Sequence, residues 1–377
     1  MNRRKFLLTV SGGLILAAGA HRILRHPDEA LLPWQTAGTY TDPREQALSY
    51  AILAPNPHNR QPWLVELRDE NKVVLYADPD RMLPATDPFN RQIVVGLGCF
   101  LELLDMAAAH LGFKTETDIF PEGSHPQQLD GRPVAEITFS ADSSLQAEPL
   151  FDFVFDRRSL KEPYDTQRPV SSEYLSGLKR ACRTDINCET TYQSDSVSRL
   201  RQITADALKV EFETPVTYQE SVDLFRIGKK EIEQNPDGID FSGPLFETMN
   251  LLGLFSREAA LDRTSSAYQQ GLDMVTGVAQ TGMAYIWLIT ENNSRENQII
   301  AGRNWLRINL ATTKQGLGLQ PMSQVLQEFP EMSNLYTEIH NWLAADGGTI
   351  QMLGRLGFGE AVAASPRWPL ESRIMNS

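Results

Sequence analysis

The sequence predicts an α+β fold with mixed or antiparallel sheets flanked by helices, and three patterns carry this prediction. Residues 63–68 and 72–77 alternate apolar and polar side chains around a short polar turn, which is typical of a β-hairpin. Residues 284–290 form a short apolar run rich in β-branched and aromatic side chains, which indicates a buried strand. Residues 297–315 place apolar side chains on one face and end at Gly316, as an amphipathic helix does.

Other elements follow from the same kinds of signal. Asp42 and Pro43 provide an N-cap and a first-turn proline for a helix that ends before Pro55. Two further apolar runs predict strands, at residues 134–139 and 151–155.

Composition and motif absences exclude several classes of function. The net charge of -13 disfavours binding to nucleic acid or to anionic membranes. The six histidines are scattered, and H-E-x-x-H, G-x-S-x-G and C-x-x-C are all missing, which argues against metal and nucleophile sites of those types. No glycine pattern completes G-x-G-x-x-G between a strand and a helix, so a Rossmann site is rejected. Cys99 is predicted to lie in the core, whereas Cys182 and Cys188 could form a disulfide or remain free.

The segment from Ala54 to Trp63, APNPHNRQPW, is the first candidate site. Its three prolines fix the backbone and make the loop stiff before a ligand arrives. Asn56, Asn59 and Gln61 offer both donors and acceptors to a flat, hydrogen-bonding ligand. His58 lies among them, and we expect it to be structural rather than catalytic.

A basic segment from Asp156 to Tyr164, DRRSLKEPY, is the second candidate site. Two adjacent arginines can bind a phosphate through paired hydrogen bonds, and the serine hydroxyl and the lysine add a donor and a charge. In an acidic chain this segment indicates a local anion site.

Together the two segments resemble the A-P-S-x-x-N-x-Q-P-W and R-R-S-x-[RK] motifs of the FMN-dependent nitroreductases, with Asn56 where serine is usual. In that family the two motifs that meet at one FMN come from different subunits of a dimer. Here one chain carries both, which resembles the Acg-like branch and implies a single-chain pseudo-dimer of two related halves. The resemblance therefore implies a nitroreductase-like fold, bound FMN and a monomer.

The resemblance also implies which residues bind FMN. The loop after the helix at 297–315 resembles the family's G-L-G-x-x-P loop, and Arg367 lies in a segment like its closing S-R-R-P. The predicted cofactor-binding residues are Pro55, Asn56, Pro57, Asn59, Gln61, Arg157, Arg158, Ser159, Lys161, Leu317, Gly318, Leu319, Gln320 and Arg367. No side chain is predicted to be catalytic, because the flavin carries the chemistry in this family.

The chain divides, by this interpretation, into a first half at residues 21–150 and a second half at residues 151–377. Residues 195–280 are predicted to be mostly helical, with an interruption at 235–238. Residues from about 236 to 265 form either plain core helix or a lid over the flavin.

Residues 1–20 are predicted to be a twin-arginine (Tat) signal peptide, since Arg3 and Arg4 precede a modest apolar stretch that ends in Ala18-Gly19-Ala20. The mature chain would then begin near His21 and be periplasmic, or be tethered to the membrane if the signal is not cleaved. The Tat machinery would be an export partner, which suits a protein that receives its flavin before export.

The predicted function is two-electron reduction of a flat small-molecule acceptor, such as a nitroaromatic or a quinone, by bound FMN. The electron donor is unknown, because NAD(P)H is not expected in the periplasm. An alternative is a protein that sequesters or stores FMN with little turnover.

Overall fold

The structure, a computed structural model, describes residues 27–252 and 255–375. The predicted signal peptide at residues 1–20 and the predicted mature start near His21 lie outside these described residues. The α-helices are Leu32–Thr36 (α1), Pro43–Ala51 (α2), Arg91–His110 (α3), Ser172–Ala181 (α4), Ser194–Glu213 (α5), Pro215–Asp223 (α6), Gly228–Gln234 (α7), Pro244–Leu251 (α8), Arg257–Leu261 (α9), Ser266–Ala279 (α10), Arg295–Lys314 (α11) and Ser333–Leu343 (α12). The strands are Trp63–Arg68 (β1), Lys72–Ala77 (β2), Phe113–Ile119 (β3), Ala135–Ala141 (β4), Asn187–Thr191 (β5), Phe225–Ile227 (β6), Ile239–Phe241 (β7), Ala284–Thr290 (β8), Gly318–Pro321 (β9) and Thr349–Gly357 (β10). The predicted α+β class is confirmed.

Two four-stranded antiparallel sheets organise the molecule, with the orders β1-β2-β4-β3 and β5-β8-β10-β9. A 20-residue helix comes after the strand that is second in each sheet order. Along the chain, α3 comes after β2, and α11 comes after β8. The strand that follows each helix, β3 or β9, lies at the far edge of its sheet. The last strand of each sheet, β4 or β10, lies between that edge strand and the second strand. The two sheets therefore repeat one arrangement of strands and helix.

Helix α3 is the centre of the main core. Most of its residues are buried, and it packs against α11, which follows the second sheet's equivalent strand. By length and composition α3 could cross a membrane, but 83% of its apolar window is buried inside the protein, so it packs as a core helix in this structure. Cys99 of α3 is 1% exposed, and its Sγ donates to the carbonyl of Gly302 at 3.1 Å, so its predicted core position is confirmed.

The end of the described chain returns to the first sheet. The Val65 amide of β1 donates to the carbonyl of Arg373 at 2.9 Å, and the Met375 amide donates to the carbonyl of Val65 at 2.8 Å. The C-terminal segment thus pairs with a strand of the first half. The predicted boundary near residue 150 stays a prediction. The C-terminal segment belongs to the predicted second half and pairs with a strand of the predicted first half.

The prediction that residues 195–280 are mostly helical is confirmed. This region also contains two short parallel strands, β6 and β7. The interruption at 235–238 separates α7 from β7, and β6 pairs with β7. Aromatic and aliphatic side chains of this region form an apolar cluster separate from the main core, which includes Tyr218, Val222, Phe225 and Tyr268. The region therefore packs as a small unit on the surface of the two-sheet body.

The predicted strand at 151–155 is wrong, because Phe151–Phe153 forms a 3-10 helix. Phe151 and Val154 are buried while Phe155 is exposed, and burial three residues apart fits a helical turn rather than a strand. The thiols of Cys182 and Cys188 are not bonded to one another. Their interaction, with burial, raises the pKa of Cys188.

Candidate active site

Arg157 is one of the deeply buried residues of the predicted site. It follows the 3-10 helix at 151–153, and its side chain runs between the two halves of the chain. It is 4% exposed, and its Nη1 donates to Oδ1 of Asn309 at 2.9 Å while its Nη2 donates to the carbonyl of Leu53 at 3.0 Å. Its Nε is buried without a hydrogen-bond partner. One donor of this guanidinium is therefore free for another acceptor.

Arg158 repeats this feature beside it. Its Nη1 donates to the carbonyls of Phe155 and Arg157 at 2.8 and 2.7 Å, and its guanidinium lies 4.9 Å from the ring of Trp34. Its Nε is also buried without a partner. Two adjacent orphaned N–H donors are costly to leave unsatisfied, so they indicate a ligand that accepts hydrogen bonds.

Electrostatics reinforce this interpretation. Arg157, Arg158 and Arg367 form no ion pair with a carboxylate among the described residues. Burial, and then the charge of Arg158, lowers the pKa of Arg157 to about 10. Burial, and then the charges of Arg157 and Arg158, lowers the pKa of Arg367 to about 9. Asp156 and Asp240 oppose these effects at Arg158 and Arg367 without forming an ion pair with them. Three neighbouring cations without an ion-paired carboxylate make a positive site, which an anion such as a phosphate would stabilise.

Arg367 has a different role from the predicted one. Its guanidinium donates to the carbonyls of Ile52, Leu53 and Ala54 at 3.0, 3.1 and 3.3 Å, just after α2 ends, and to Oδ1 of Asn59 at 2.6 Å. All three nitrogens therefore have acceptors within the protein. The predicted phosphate contact of Arg367 is corrected: its side chain fixes the start of the 54–63 loop, and it contributes charge to the site.

The 54–63 loop has an unusual backbone. His58, Asn59 and Gln61 have positive φ values of 46°, 51° and 51°, in the left-handed region that residues other than glycine rarely occupy. Strain of this kind persists only where the surroundings impose it, and it concentrates at functional sites. The prolines at 55, 57 and 62 limit the alternatives open to the loop.

The three amide side chains of this loop form hydrogen bonds within the protein, and their predicted contact with a flat ligand stays a prediction. Oδ1 of Asn56 accepts from the Gln61 amide at 2.7 Å, and Nδ2 of Asn59 donates to the carbonyl of Pro366 at 3.0 Å. Gln61 is 0% exposed; its Nε2 donates to the carbonyl of Pro236 at 2.7 Å, and its Oε1 accepts from the Trp368 amide at 2.9 Å. Gln61 therefore joins the loop to two distant segments. Pro55 and Pro57 are half-buried beside it.

The remaining predicted residues lie around the same arginines. Ser159 is half-buried and Lys161 is exposed, and neither side chain has a hydrogen-bond partner among the described residues. Leu317 to Gln320 form the start of β9 and the residue before it. The Leu160 amide donates to the carbonyl of Leu319 at 2.8 Å, so the second motif lies against this strand.

Gly318 is required by that close approach. A Cβ at this position would lie 2.5 Å from Cδ2 of Leu160 and 2.9 Å from Cε1 of Tyr164. The Gln320 side chain is directed to Arg355, whose Nε donates to its Oε1 at 2.6 Å. The structure thus brings the first motif, the second motif and the β9 segment together within one chain.

Four functional candidates were missed by the sequence reasoning: Asn309, Asp237, Asp240 and Glu211. Asn309 bridges the second motif, since its Nδ2 also donates to the carbonyl of Arg158 at 2.9 Å. Asp237 forms ion pairs with Arg60, Arg81 and Arg226. No local motif marks these residues, because only the tertiary fold brings them to the site.

Lys161 is the common neighbour of three titratable groups from three segments. Burial, followed by the charges of Lys161 and Arg60, lowers the pKa of His58 to about 4, so His58 is neutral at pH 7. Burial raises the pKa of Asp240, and Lys161 opposes that rise. Burial also raises the pKa of Glu211 to about 7, against the effects of a Gln327 hydrogen bond and Lys161. Asp240 is exposed.

Among the described residues, no group of three or more His, Cys, Asp or Glu side chains could hold a metal ion.

No family model matches the sequence. A Mycobacterium tuberculosis protein named as an NAD(P)H nitroreductase, acg, is 31% identical over 126 residues, which are 33% of this chain and 38% of that protein. The chain thus aligns with well under two thirds of the length of acg.

Two other relatives align along most of the chain. A Serratia sp. protein named as an NAD(P)H nitroreductase, PigM, is 21% identical over 77% of this chain and 82% of its own. A second M. tuberculosis protein named in the same way, Rv3131, is 24% identical over 87% of this chain and 88% of its own. Among solved structures, the FMN-dependent nitroreductase NfnB from Mycobacterium smegmatis, in complex with NADPH, aligns with a TM-score of 0.35, 14% identity, 60% of this chain and 98% of that chain. All three relatives are named as nitroreductases, the family whose motifs the two segments of this chain resemble.

Proposed function

We propose that the chain is an FMN-dependent oxidoreductase of nitroreductase type, which passes two electrons to a flat acceptor such as a nitroaromatic or a quinone. One observation carries the proposal most directly. Arg157 and Arg158 hold two buried N–H donors without partners in a cluster of cations that has no paired carboxylate among the described residues. The relatives named as NAD(P)H nitroreductases support the same class of reaction.

These residues fit the phosphate of FMN. The Nε groups of Arg157 and Arg158 would donate to its oxygens, the Ser159 hydroxyl is free to add a donor, and Lys161 would add a charge. Bound FMN would supply the two-electron redox chemistry itself.

The chain's own contribution is position and exclusion of water. The left-handed residues of the 54–63 loop are held by Arg367, Trp368 and Pro236, so the loop keeps its shape before a ligand binds. A preformed loop reduces the entropy lost on binding. Because the loop's amide side chains are hydrogen-bonded within the protein, backbone groups and the proline rings would form part of its ligand-facing surface.

The proposal includes a self-sufficient monomer in which both halves of the site come from one chain. The repeated strand order of the two sheets supports a pseudo-dimer of related halves. Export by the Tat machinery to the periplasm is also proposed, from the twin-arginine pattern of residues 1–20. NADH and NADPH are the first donors to test, given the names of the relatives, and an exported protein would use a quinol or a redox protein instead.

FMN sequestration with little turnover is the second candidate. The helical region supports it, because the segment at 235–241 is fixed to the 54–63 loop through Pro236 and Asp237. A region held in this way would restrict access of an acceptor to the ligand.

The test is purification under native conditions, with the bound cofactor identified by visible absorption and mass spectrometry. One FMN per chain and reoxidation of the reduced protein by menadione or a nitroaromatic are the expected results. Bound FMN that neither acceptor reoxidises would favour sequestration. A protein that takes up no FMN would contradict both candidates.

A further inference from the structure

Glu211 lies at the C-terminal end of α5 and approaches the proposed site from the helical side. Its neighbour Gln327 follows a 3-10 helix at Ser323–Leu326, just after β9, which carries predicted site residues. Lys161 of the second motif is one of two charged residues that act on its carboxyl group; Glu220 is the other. Glu211 is thus placed between two of the segments that build the site.

The carboxyl group of Glu211 is anchored at one oxygen only. Nε2 of Gln327 donates to Oε2 at 2.6 Å. Oε1 has no hydrogen-bond partner among the described residues. It is in contact with solvent, since it is not among the buried polar atoms that lack a partner. One oxygen is therefore fixed and the other remains accessible from the half-buried side chain.

Gln327 suits both protonation states of this group. It is 3% exposed, and its own Oε1 is buried without a partner. An ionised Glu211 accepts from Nε2, whereas a protonated Glu211 could donate to Oε1 after rotation of the amide. The carboxyl group can therefore lose and regain a proton without losing its anchor.

We propose that Glu211 is the proton donor to the acceptor, a step that rests on the proposed flavin-dependent function. In the reduction of a quinone, bound FMN would supply a hydride, that is, two electrons and one proton, to the quinone. Its oxygen then takes the proton of Glu211: the O–H bond of the acid breaks, an O–H bond of the hydroquinone forms, and Glu211 becomes a carboxylate. Lys161 stabilises that carboxylate, and a proton from water restores the acid.

The charges around Glu211 are consistent with this cycle. Burial favours the protonated acid, and the nearby carboxylate of Glu220 favours it further. Glu220 itself is held by the amides of Ala85 and Thr86. Lys161 acts in the opposite direction, so the acid is neither locked in its protonated form nor fully ionised near pH 7. A general acid works best when its pKa lies near the working pH.

The test separates proton transfer from electron transfer. Reduced holoprotein is mixed in a stopped-flow instrument with p-benzoquinone, which needs protons, and with ferricyanide, which takes electrons alone. We expect Glu211→Gln, which keeps the hydrogen bond to Gln327, to slow the benzoquinone reaction by about 10²-fold and to leave the ferricyanide reaction unchanged. Glu213→Gln, at an exposed position two residues along the same helix, is the matched control and should change neither rate.

A second readout needs no turnover. Infrared difference spectra recorded across a pH titration should show a carboxylic acid that titrates near neutral pH in the wild type and in Glu213→Gln, and that is missing in Glu211→Gln. Equal benzoquinone rates in wild type and Glu211→Gln would overturn the proposal, as would equal slowing with both acceptors or an unchanged infrared titration. Wild-type protein without flavin would instead contradict the proposed function, and with it this step.

Discussion

Gly98 of α3 and Gly302 of α11 meet where these two 20-residue helices cross. A Cβ on Gly302 would lie 2.0 Å from the carbonyl oxygen of Val95 and 2.8 Å from Cα of Gly98. Each glycine is the eighth residue of a 20-residue helix whose first residue is a buried arginine, Arg91 or Arg295. The two helices thus make equivalent contributions to one crossing, which supports the proposed pseudo-dimer.

The first prediction follows from this crossing. Gly302→Ala should destabilise the protein by about 1–3 kcal/mol or more, because the methyl group would force the two backbones apart. Gly277→Ala is the control: Gly277 lies in α10, and apart from its chain neighbours and the adjacent backbone of its own helix no atom lies within 4 Å of the position that its Cβ would take, so the same change should leave stability equal or slightly raised. Urea unfolding measures both. A Gly302→Ala protein as stable as the wild type would show that the helices do not cross this closely.

Local patterns predicted the regular parts of the fold well. The hairpin at 63–68 and 72–77 is confirmed at its predicted bounds, because alternation and turn are both local signals. Strand β3 was missed, since Phe113–Ile119 is a half-exposed edge strand rich in Lys, Thr, Glu and Asp. Burial of its neighbours, rather than its own propensity, makes this segment a strand.

The sequence likewise predicted the candidate site only in part. The sequence identified Arg157 and Arg158, but not that Asn309 and Leu53 would position them, since these residues lie far away in the chain. It also assigned Gln61 to a ligand, whereas tertiary contacts use every polar atom of its side chain. A motif therefore marks which loop matters, and only the fold shows which atoms remain free.

The second prediction concerns the contact between the helical region and the loop. The Asp237 side chain is 5% exposed and pairs with Arg60, Arg81 and Arg226. Asp237→Asn should destabilise the protein by about 3–5 kcal/mol, because it leaves buried cations without their shared anion. Hydrogen exchange at residues 235–241 should rise as the segment separates from the loop.

An exposed ion pair provides the control for this change. Asp130 pairs with Arg132 at the surface. Asp130→Asn should alter the free energy of unfolding by less than about 1 kcal/mol and leave hydrogen exchange at 235–241 unchanged. Equal effects of the two substitutions would contradict the proposed attachment of the helical region.

The third prediction is a pH dependence of stability. The pKa of Glu211 rises on folding from 4.5 to about 7. Between these values the folded protein binds a proton that the unfolded chain has released, so this group's stabilising contribution is full below pH 4.5 and is lost as the pH rises through 7. One pKa unit corresponds to about 1.4 kcal/mol, and solvent contact at the half-buried carboxyl reduces the effect.

The free energy of unfolding of the wild type should therefore decline between about pH 5 and pH 8. In Glu211→Gln this decline should be smaller by about 1–2 kcal/mol. Urea unfolding at several pH values measures the difference. Parallel pH curves for the two proteins would mean that Glu211 titrates normally in the folded state.

The most direct test of the central claim, an FMN phosphate bound by Arg157 and Arg158, is a comparison of FMN with riboflavin, which lacks the phosphate. Each ligand is titrated into apoprotein and followed by flavin fluorescence. Charge-assisted hydrogen bonds of about 1.5–3 kcal/mol predict that the wild type binds FMN about 10- to 150-fold more tightly than riboflavin. Arg157→Gln and Arg158→Gln should reduce that ratio mainly by weakening FMN binding, and the exposed control Arg132→Gln should preserve it. Equal affinity of the wild type for both flavins, or an unchanged ratio in the two site variants, would contradict the account.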